Sequence, residues 1–116
     1  MMSPHEYQRL LARLKTAAQQ EKDALFKTMP KEFAERVADV SIRFEGEPSK
    51  DMQARGASVE AFSMVQEGAD GREIVVFLMN LLQCYGKELG AFHRELRRTL
   101  LTELADMAGV ELELGD

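Results

Sequence analysis

Thr102, Glu103 and Asp106 are the residues whose types and spacing come nearest to a known chemistry. They lie in LLTELADMAG, residues 100–109, where apolar residues at helical spacing are followed by glycine. A helix binds zinc through two histidines four residues apart, because residues one turn apart share a face, and a glutamate beside the first histidine acts as general base. Glutamate occupies that base position here, whereas threonine and aspartate occupy the two histidine positions.

The donors that remain do not predict a zinc site. A threonine hydroxyl is a poor ligand at neutral pH, and a lone aspartate offers one hard oxygen. His93 lies nine residues before Thr102, which places it on the opposite face of an uninterrupted helix. His5 belongs to a distant helix whose packing the sequence leaves open, so its participation stays an alternative. We expect no bound metal and no other cofactor.

Two helices are predicted ahead of the sheet. The segment Ser3–Glu6 has the serine, proline and glutamate of a capping box, and apolar residues at helical spacing extend this helix toward Phe26. Pro30 ends it, since proline disfavours helical geometry in the residue before it. Pro30 also starts a short second helix that we expect to bury Phe33 and Val37.

Three segments have the character of β-strands. Residues 40–44 alternate apolar and polar side chains, residues 59–67 resume this character, and residues 74–79 form the continuous apolar run that is typical of a strand covered on both faces. A glycine-containing turn at 68–71 joins the last two. The polar segment 47–56 lacks periodicity and is predicted to be a surface loop.

A short helix and a long helix complete the chain. Asn80 is positioned to cap a short helix that runs through Tyr85 and ends at Gly86. From Lys87 onward a leucine-rich stripe recurs every three or four residues, and Gly109 stands where a left-handed helix C-cap belongs. We expect this stripe to pack on the sheet.

The order of helices, strands and helix predicts an α+β fold. With 116 residues, of which 45% are apolar and 30% charged, the chain has the composition of a folded protein and the length of one domain, residues 1–116. We expect the helices to lie on one face of a small mixed sheet of three to four strands.

Charge and cysteine content argue against several function classes. A net charge of −5 disfavours nucleic-acid binding, which concentrates Lys and Arg on one face, and Arg94, Arg97 and Arg98 interleave with Glu95 as in a salt-bridged helix face. Cys84 is the single cysteine, so it forms no intramolecular disulfide, and we expect it to be buried. The N-terminus lacks an apolar signal-peptide core and no run is long enough to span a membrane, so we expect a cytoplasmic protein.

The segments MPKEFAERVADVSIRFEGEPS and ELRRTLLTELADMAG together resemble the minimal zincin-like metallopeptidase family of small bacterial proteins. The resemblance runs from about Leu10 to Gly109. It implies a zincin-like fold with N-terminal helices, a small mixed sheet and a C-terminal helix that carries HExxHxxG. By position, Glu103 is a vestigial general base, Thr102 and Asp106 are vestigial metal positions, and Gly109 is the helix-ending glycine. The family's cofactor is zinc, whose ligand histidines are missing here.

The resemblance and the missing ligands predict a pseudo-peptidase that acts as a binding or structural module. Related zincins take a third ligand three residues after the glycine, where this chain has Leu112, which has no donor atom. We expect a cleft between the sheet and the last helix, with Thr102, Glu103 and Asp106 as its floor. Such a cleft would hold a protein or peptide by strand addition at a sheet edge. The sequence does not identify that partner.

Two alternatives stay open. The first is an atypical metal-dependent hydrolase, in which Glu103, Asp106 and a carboxylate of the acidic tail 111–116 hold Mg²⁺ or Mn²⁺, ions that prefer oxygen ligands. The second is a subunit of a homo-oligomer without a site, in which the apolar segment Leu78–Leu82 is buried in a second copy instead of in the core.

Overall fold

The computed structural model describes residues 2–110 of the chain, except for the side chain of Leu89. Within that range the elements are helix α1 Pro4–Thr28, helix α2 Lys31–Arg36, strand β1 Ser41–Glu45, helix α3 Lys50–Ala54, strand β2 Ser63–Gly68, strand β3 Gly71–Phe77, helix α4 Leu78–Tyr85 and helix α5 Leu89–Ala108. A small sheet thus stands between N-terminal and C-terminal helices, which is an α+β arrangement. None of the described helices combines the length and the apolar character that crossing a membrane requires.

Local sequence signals set the ends of the first two helices. Ser3 Oγ accepts a hydrogen bond from the backbone N–H of Glu6 at 3.1 Å, which satisfies one of the unpaired donors at the start of α1. Pro30 stands directly before α2, where its fixed φ suits the start of a helix. Val37, which follows α2, is buried, and Phe33 is half-buried. The predicted serine N-cap and the predicted proline break are both confirmed.

Strand β3 is the centre of a three-stranded mixed sheet with the order β1-β3-β2. Strand β1 runs parallel to β3, and strand β2 runs antiparallel to it. Ile74 and Val76 pack into the cluster formed with α1, α4 and α5, whereas Val75 and Phe77 pack on the opposite face. All four side chains are completely buried. The continuous apolar run is therefore a strand covered on both faces, as its sequence predicts.

A short helix, α3, lies within residues 47–56, where the sequence predicts a surface loop, and that prediction is wrong. Ser49 caps the helix by accepting a hydrogen bond from the backbone N–H of Met52 at 3.1 Å. Met52 is buried against Val75 and Phe77. Short helices gain most of their stability from such tertiary packing, which a polar and aperiodic sequence does not reveal. Helices consequently cover both faces of the sheet, and not one face as predicted.

Strand β3 ends at Phe77, earlier than predicted, and α4 follows it at once. The N-cap residue of α4 is Phe77, so the prediction that Asn80 caps this helix is wrong. Asn80 is buried inside the helix, and its Nδ2 donates to the backbone carbonyls of Val59 and Ala61 at 2.9 and 2.8 Å. The side chain is engaged by the segment before β2 and is not free to cap. Gly86 follows the last turn of α4, as predicted.

The apolar segment Leu78–Leu82 belongs to the core of the chain. Leu78 and Leu81 are completely buried, and Met79 and Leu82 pack against the same cluster. Its apolar side chains are therefore buried within the chain, where they pack with residues of the sheet and the long helices.

Helix α5 packs through a single stripe of side chains into the cluster that it shares with α1, α4 and strand β3. Phe92, Leu96, Leu100 and Leu104 recur every four residues and are at most 1% exposed. Gly109, with φ of 69°, ends the helix in the left-handed conformation that glycine adopts without strain. The predicted stripe and the predicted C-cap are confirmed, and the stripe fixes which face of α5 is left for other contacts.

Arg72 ties the end of α5 to the start of the central strand. Its Nε and Nη2 donate to the two carboxylate oxygens of Asp39 at 2.9 and 2.8 Å, and its Nη1 donates to the backbone carbonyl of Met107 at 2.9 Å. Arg36 donates to the carbonyl of Ala108 at 3.3 Å. The two cations meet the unpaired carbonyls at the C-terminus of α5, where the helix dipole favours positive charge.

Replacing Asp39 with asparagine should remove an acid-dependent part of the stability. The hydrogen bond from Arg72 lowers the pKa of Asp39 from 3.8 to about 2. A carboxyl with a lowered folded pKa contributes stability above its unfolded pKa, and that contribution is lost as the pH falls through the folded pKa. We expect Asp39→Asn to be less stable than the wild type at neutral pH, and the difference to shrink between about pH 4 and pH 2.

Urea titrations across this pH range measure the difference in free energy of unfolding. Asp70→Asn is the matched control, because Asp70 is an exposed carboxylate in the turn next to Arg72. The same pH dependence in both variants would contradict a specific role for the Asp39 contact.

Candidate functional site

A cavity of about 250 Å³ lies between α5 and the start of β2, where the sequence predicts a cleft. Its walls come from both elements: Phe62, Ser63, Glu95, Arg98, Thr99, Thr102 and Glu103. Thr102 is exposed at the mouth of the cavity, and Glu103 is half-buried. The leucine stripe turns one face of α5 into the core. Thr102 and Glu103 lie off that stripe, and they line the cavity together with Ser63 of β2.

Asp106, the third residue of the predicted floor, does not line this cavity. It is exposed about one turn further along α5, near enough for its charge to act on Glu103. Thr102 and Glu103 are thus brought together as expected, and Asp106 is a neighbour of the cavity and not part of its wall.

The surroundings of the Glu103 carboxyl favour its neutral form. Partial burial raises its pKa, the charge of Asp106 raises it further, and hydrogen bonding with the Ser63 hydroxyl acts in the opposite direction. A carboxyl of this kind can donate a hydrogen bond when protonated and attract a cation when ionised. Arg98 lines the same cavity, but it lies 3.8 Å from Glu95 and is partly neutralised by it.

Glu103→Gln should make the protein more stable at neutral pH. The raised pKa means that the folded state binds this proton more tightly than the unfolded chain, so ionisation costs stability as the pH rises through the folded pKa. Glutamine stays neutral and keeps a side-chain acceptor for Ser63. The gain over the wild type should be present above the raised pKa and disappear as the pH falls below 4.5, the ordinary value for glutamate.

Denaturant titrations at a series of pH values test this expectation. Glu32→Gln, on the exposed face of α2, is the control for the loss of one negative charge. A Glu103→Gln gain that stays constant with pH would show that burial does not shift the ionisation of this carboxyl.

The donor atoms along α5 do not fit the zinc ion of the minimal zincin-like family. Thr102 offers a hydroxyl, and the Asp106 carboxylate stands outside the cavity that Thr102 and Glu103 line. Across residues 2–110, no group of three or more His, Cys, Asp or Glu side chains is arranged to hold a metal ion. Leu112 and the carboxylates of the tail 111–116 lie outside the described residues.

Both histidines lie away from this cavity. His93 Nδ1 is 3.1 Å from Glu21 Oε1 on α1, and Arg97 Nη2 donates to Glu21 Oε2 at 2.9 Å. These three side chains join α1 to α5 on the face opposite Thr102, as the helical spacing predicts. His5 is exposed in the first turn of α1 and does not line the cavity.

Strand β2 is an edge of the sheet beside the cavity. The backbone N–H of Phe77 donates to the carbonyl of Phe62 at 2.8 Å, which fixes the phase of the pairing between β2 and β3. In an antiparallel pair, hydrogen-bonded residues alternate with residues whose N–H and C=O are directed away from the partner strand. The peptide groups of Ser63, Val65 and Glu67 are consequently directed outward. Outside the ladder with β3, the described part of the chain holds no backbone hydrogen bond to these three residues.

A second and larger cavity was not marked by any sequence motif. It has a volume of about 650 Å³ and is lined by residues of α4, of the segment before β2 and of the segment around α3. Asn80 and Cys84 belong to its wall. Cys84 is exposed, so the prediction of a buried cysteine is wrong. Leu78, Leu81 and Tyr85 form the inner face of α4, which leaves Cys84 on the side of the cavity.

Comparison with known proteins does not assign a family. No protein family matches the chain, and no curated protein shows significant similarity to it. The likeness to minimal zincin-like metallopeptidases therefore rests on the two sequence segments that carry it.

Proposed function

We propose that the protein is a peptide-binding module, a zincin-like pseudo-peptidase without a catalytic metal. The observation that carries this proposal is the open edge of β2 beside a side-chain cavity. The outward peptide groups of Ser63, Val65 and Glu67 can pair with an extended segment, as in strand addition. Glu103 and Thr102 stand at the start of this edge, where they can contact a side chain of the added segment.

The side chains of β2 determine what each face of an added strand would contact. Ser63 lines the cavity with Glu103, and Val65, two residues on, shares that face and is 47% exposed. Met64 is on the other face and packs toward Met52. An added strand would therefore place alternate side chains on the α5 face, beside Val65, where apolar surface is available.

The charges around the cavity favour a basic side chain at one position of the peptide. Glu95 and Glu103 line the cavity, Asp106 lies near them, and Arg98 is opposed by Glu95. A Lys or Arg side chain beside Glu103 would favour its ionised form and offset the cost of its partial burial. The expected occupant is an extended peptide with a basic residue that faces α5.

Binding without hydrolysis is supported by the identity of the side chains at the two vestigial metal positions. In an active zincin the metal polarises the peptide carbonyl and lowers the pKa of a bound water. Thr102 and Asp106 replace the nitrogen donors that such an ion needs. Glu103 retains the position of the base and contributes charge and hydrogen bonding to the cavity.

Val65→Pro should abolish peptide binding without unfolding the sheet. Proline removes the outward N–H of residue 65, which is not part of the ladder to β3, and proline is tolerated at such positions of edge strands. Peptides selected against the wild type from a display library of short random sequences should bind this variant at least about tenfold more weakly. Val65→Thr, which keeps the N–H, should bind them with nearly the wild-type affinity.

Amide hydrogen exchange locates the contact. The N–H groups of Ser63, Val65 and Glu67 should exchange faster than those of Met64 and Gln66 in the free protein, and they should slow in the complex. Selected peptides that bind Val65→Pro and Val65→Thr equally well, or a library that yields no binder, would contradict strand addition at β2.

Zn²⁺, Mn²⁺ and Mg²⁺ should leave the thermal midpoint of the purified protein unchanged. An ion that binds the folded state raises the midpoint, and the donors of Thr102 and Asp106 are too few and too weak for tight binding. The alternative of a metal-dependent hydrolase predicts a rise with one of these ions. That rise should be lost when Glu103→Gln is combined with Asp106→Asn. One equivalent of zinc retained through purification would refute the loss of the metal.

A further inference from the structure

The larger cavity, of about 650 Å³, shares the lining residue Phe62 with the cavity of Glu103. Its volume is within the range of sites that enclose small organic ligands. Pro48, Val59 and Phe62 give it apolar walls, and Glu47 and Glu60 contribute two carboxylates. The residues that line it include no Lys, Arg or His, so its electrostatic character is acidic.

Asn80 presents a hydrogen-bond acceptor to this cavity. The residue is 7% exposed, and its Nδ2 donates to the carbonyls of Val59 and Ala61. Carbonyl oxygens only accept hydrogen bonds, so these two contacts fix the orientation of the amide and leave Oδ1 as an acceptor. No described residue donates to Oδ1. Because the described residues hold no fully enclosed side-chain N or O atom without a partner, Oδ1 opens into the cavity that Asn80 lines.

Gln53 contributes a second side-chain amide to this wall. Gln53 Nε2 donates to the backbone carbonyl of Pro48 at 3.1 Å, which leaves its Oε1 as an acceptor. The wall therefore combines amide oxygens and carboxylates with an aromatic face. A ligand that matches it has N–H donors, positive charge and an apolar body.

We propose that this cavity is a binding site for an organic cation, an amidinium, guanidinium or ammonium group carried on an apolar body. The cation donates to Asn80 Oδ1, its charge is balanced by Glu47 and Glu60, and its body packs against Phe62, where cation–π attraction adds to the apolar contact. A metal ion is a poorer match, since no group of three His, Cys, Asp or Glu side chains is placed to coordinate one within residues 2–110. The lining of this site includes none of Ser63, Val65 and Glu67, whose peptide groups form the open edge of β2.

Three isosteric probes test the proposal: benzamidine, which is cationic, benzamide, which is neutral, and benzoate, which is anionic. Titrations followed by two-dimensional ¹H–¹⁵N NMR should show benzamidine shifting the side-chain amide of Asn80 and the backbone amides of residues 59–62 and 80–84. Benzamide should bind at least about tenfold more weakly than benzamidine, because the ionic contribution is lost. Benzoate should not bind. Added salt should weaken benzamidine binding, since Glu47 and Glu60 are exposed.

Variants and a chemical label separate this site from non-specific attraction to an acidic protein. Glu47→Gln combined with Glu60→Gln should weaken benzamidine binding at least about tenfold. Glu32→Gln combined with Glu35→Gln, two exposed positions on α2 with the same change in net charge, should leave it unchanged. Cys84 lines the cavity and is exposed, so bound benzamidine should slow its alkylation by iodoacetamide.

Several results would overturn the assignment. Equal binding of benzamidine and benzamide would show that charge is not recognised. Shifts confined to other surfaces, equal losses in the two double variants, or no saturable shift with benzamidine would show that the cavity is not a cation site. Each of these outcomes leaves the Val65→Pro test of peptide binding unaffected, because that test concerns the edge of β2.

Discussion

Burial of the central strand on both of its faces is the constraint from which the remaining arrangement follows. Ile74, Val75, Val76 and Phe77 are completely shielded from water, and each such side chain contributes roughly 1.5–3 kcal/mol to folding. Helices α1, α4 and α5 cover one face of the strand, and Met52 of α3 covers the other. With β3 in the middle, β1 and β2 become the two edges of the sheet.

The position of the candidate site is a consequence of that packing. The stripe of α5 that ends at Leu104 must face the core, so the neighbouring Glu103 comes to stand beside the start of β2. Asn80 fixes the segment before β2 by binding two of its carbonyls. Phe62 ends that segment, packs near Tyr85 with a ring separation of 5.8 Å, and lines both cavities. The packed core and one buried amide thus position two cavities that share a single aromatic ring.

The features that were predictable from the sequence are those that local interactions determine. Ser3 and Gly109 cap the helix ends next to them. The continuous apolar run of β3 directly indicates a strand that is buried on both faces. The C-terminal end of α5 and its inward face were predictable for the same reason, whereas the helix begins at Leu89, two residues later than predicted. The candidate site was predictable in part, because the apolar stripe shows which face of α5 is buried and therefore which residues, Thr102 and Glu103 among them, can line a cleft beside it.

The remaining features depend on contacts between residues far apart in sequence. Helix α3 is stabilised by Met52 packing on the sheet, and Asn80 binds carbonyls about twenty residues before it. Neither contact produces a periodic pattern of apolar residues in the sequence. Cys84 is exposed because other residues of α4 occupy the inner face, and Asp106 stands outside the cavity because its wall ends at Glu103. Sequence spacing places a residue on a helix, but the neighbouring elements decide what that residue touches.

The outward peptide groups of β2 also make self-association a hazard for this protein. An edge that accepts a foreign strand accepts the same strand from another copy, and repeated stacking of that kind leads to fibrils. The shortness of β2 limits the number of hydrogen bonds that another copy can form with it, and the carboxylate of Glu67 and the net charge of −5 add repulsion between copies. Conditions that neutralise carboxylates weaken this protection, so the edge on which we propose peptide binding is also the edge whose charges keep copies apart.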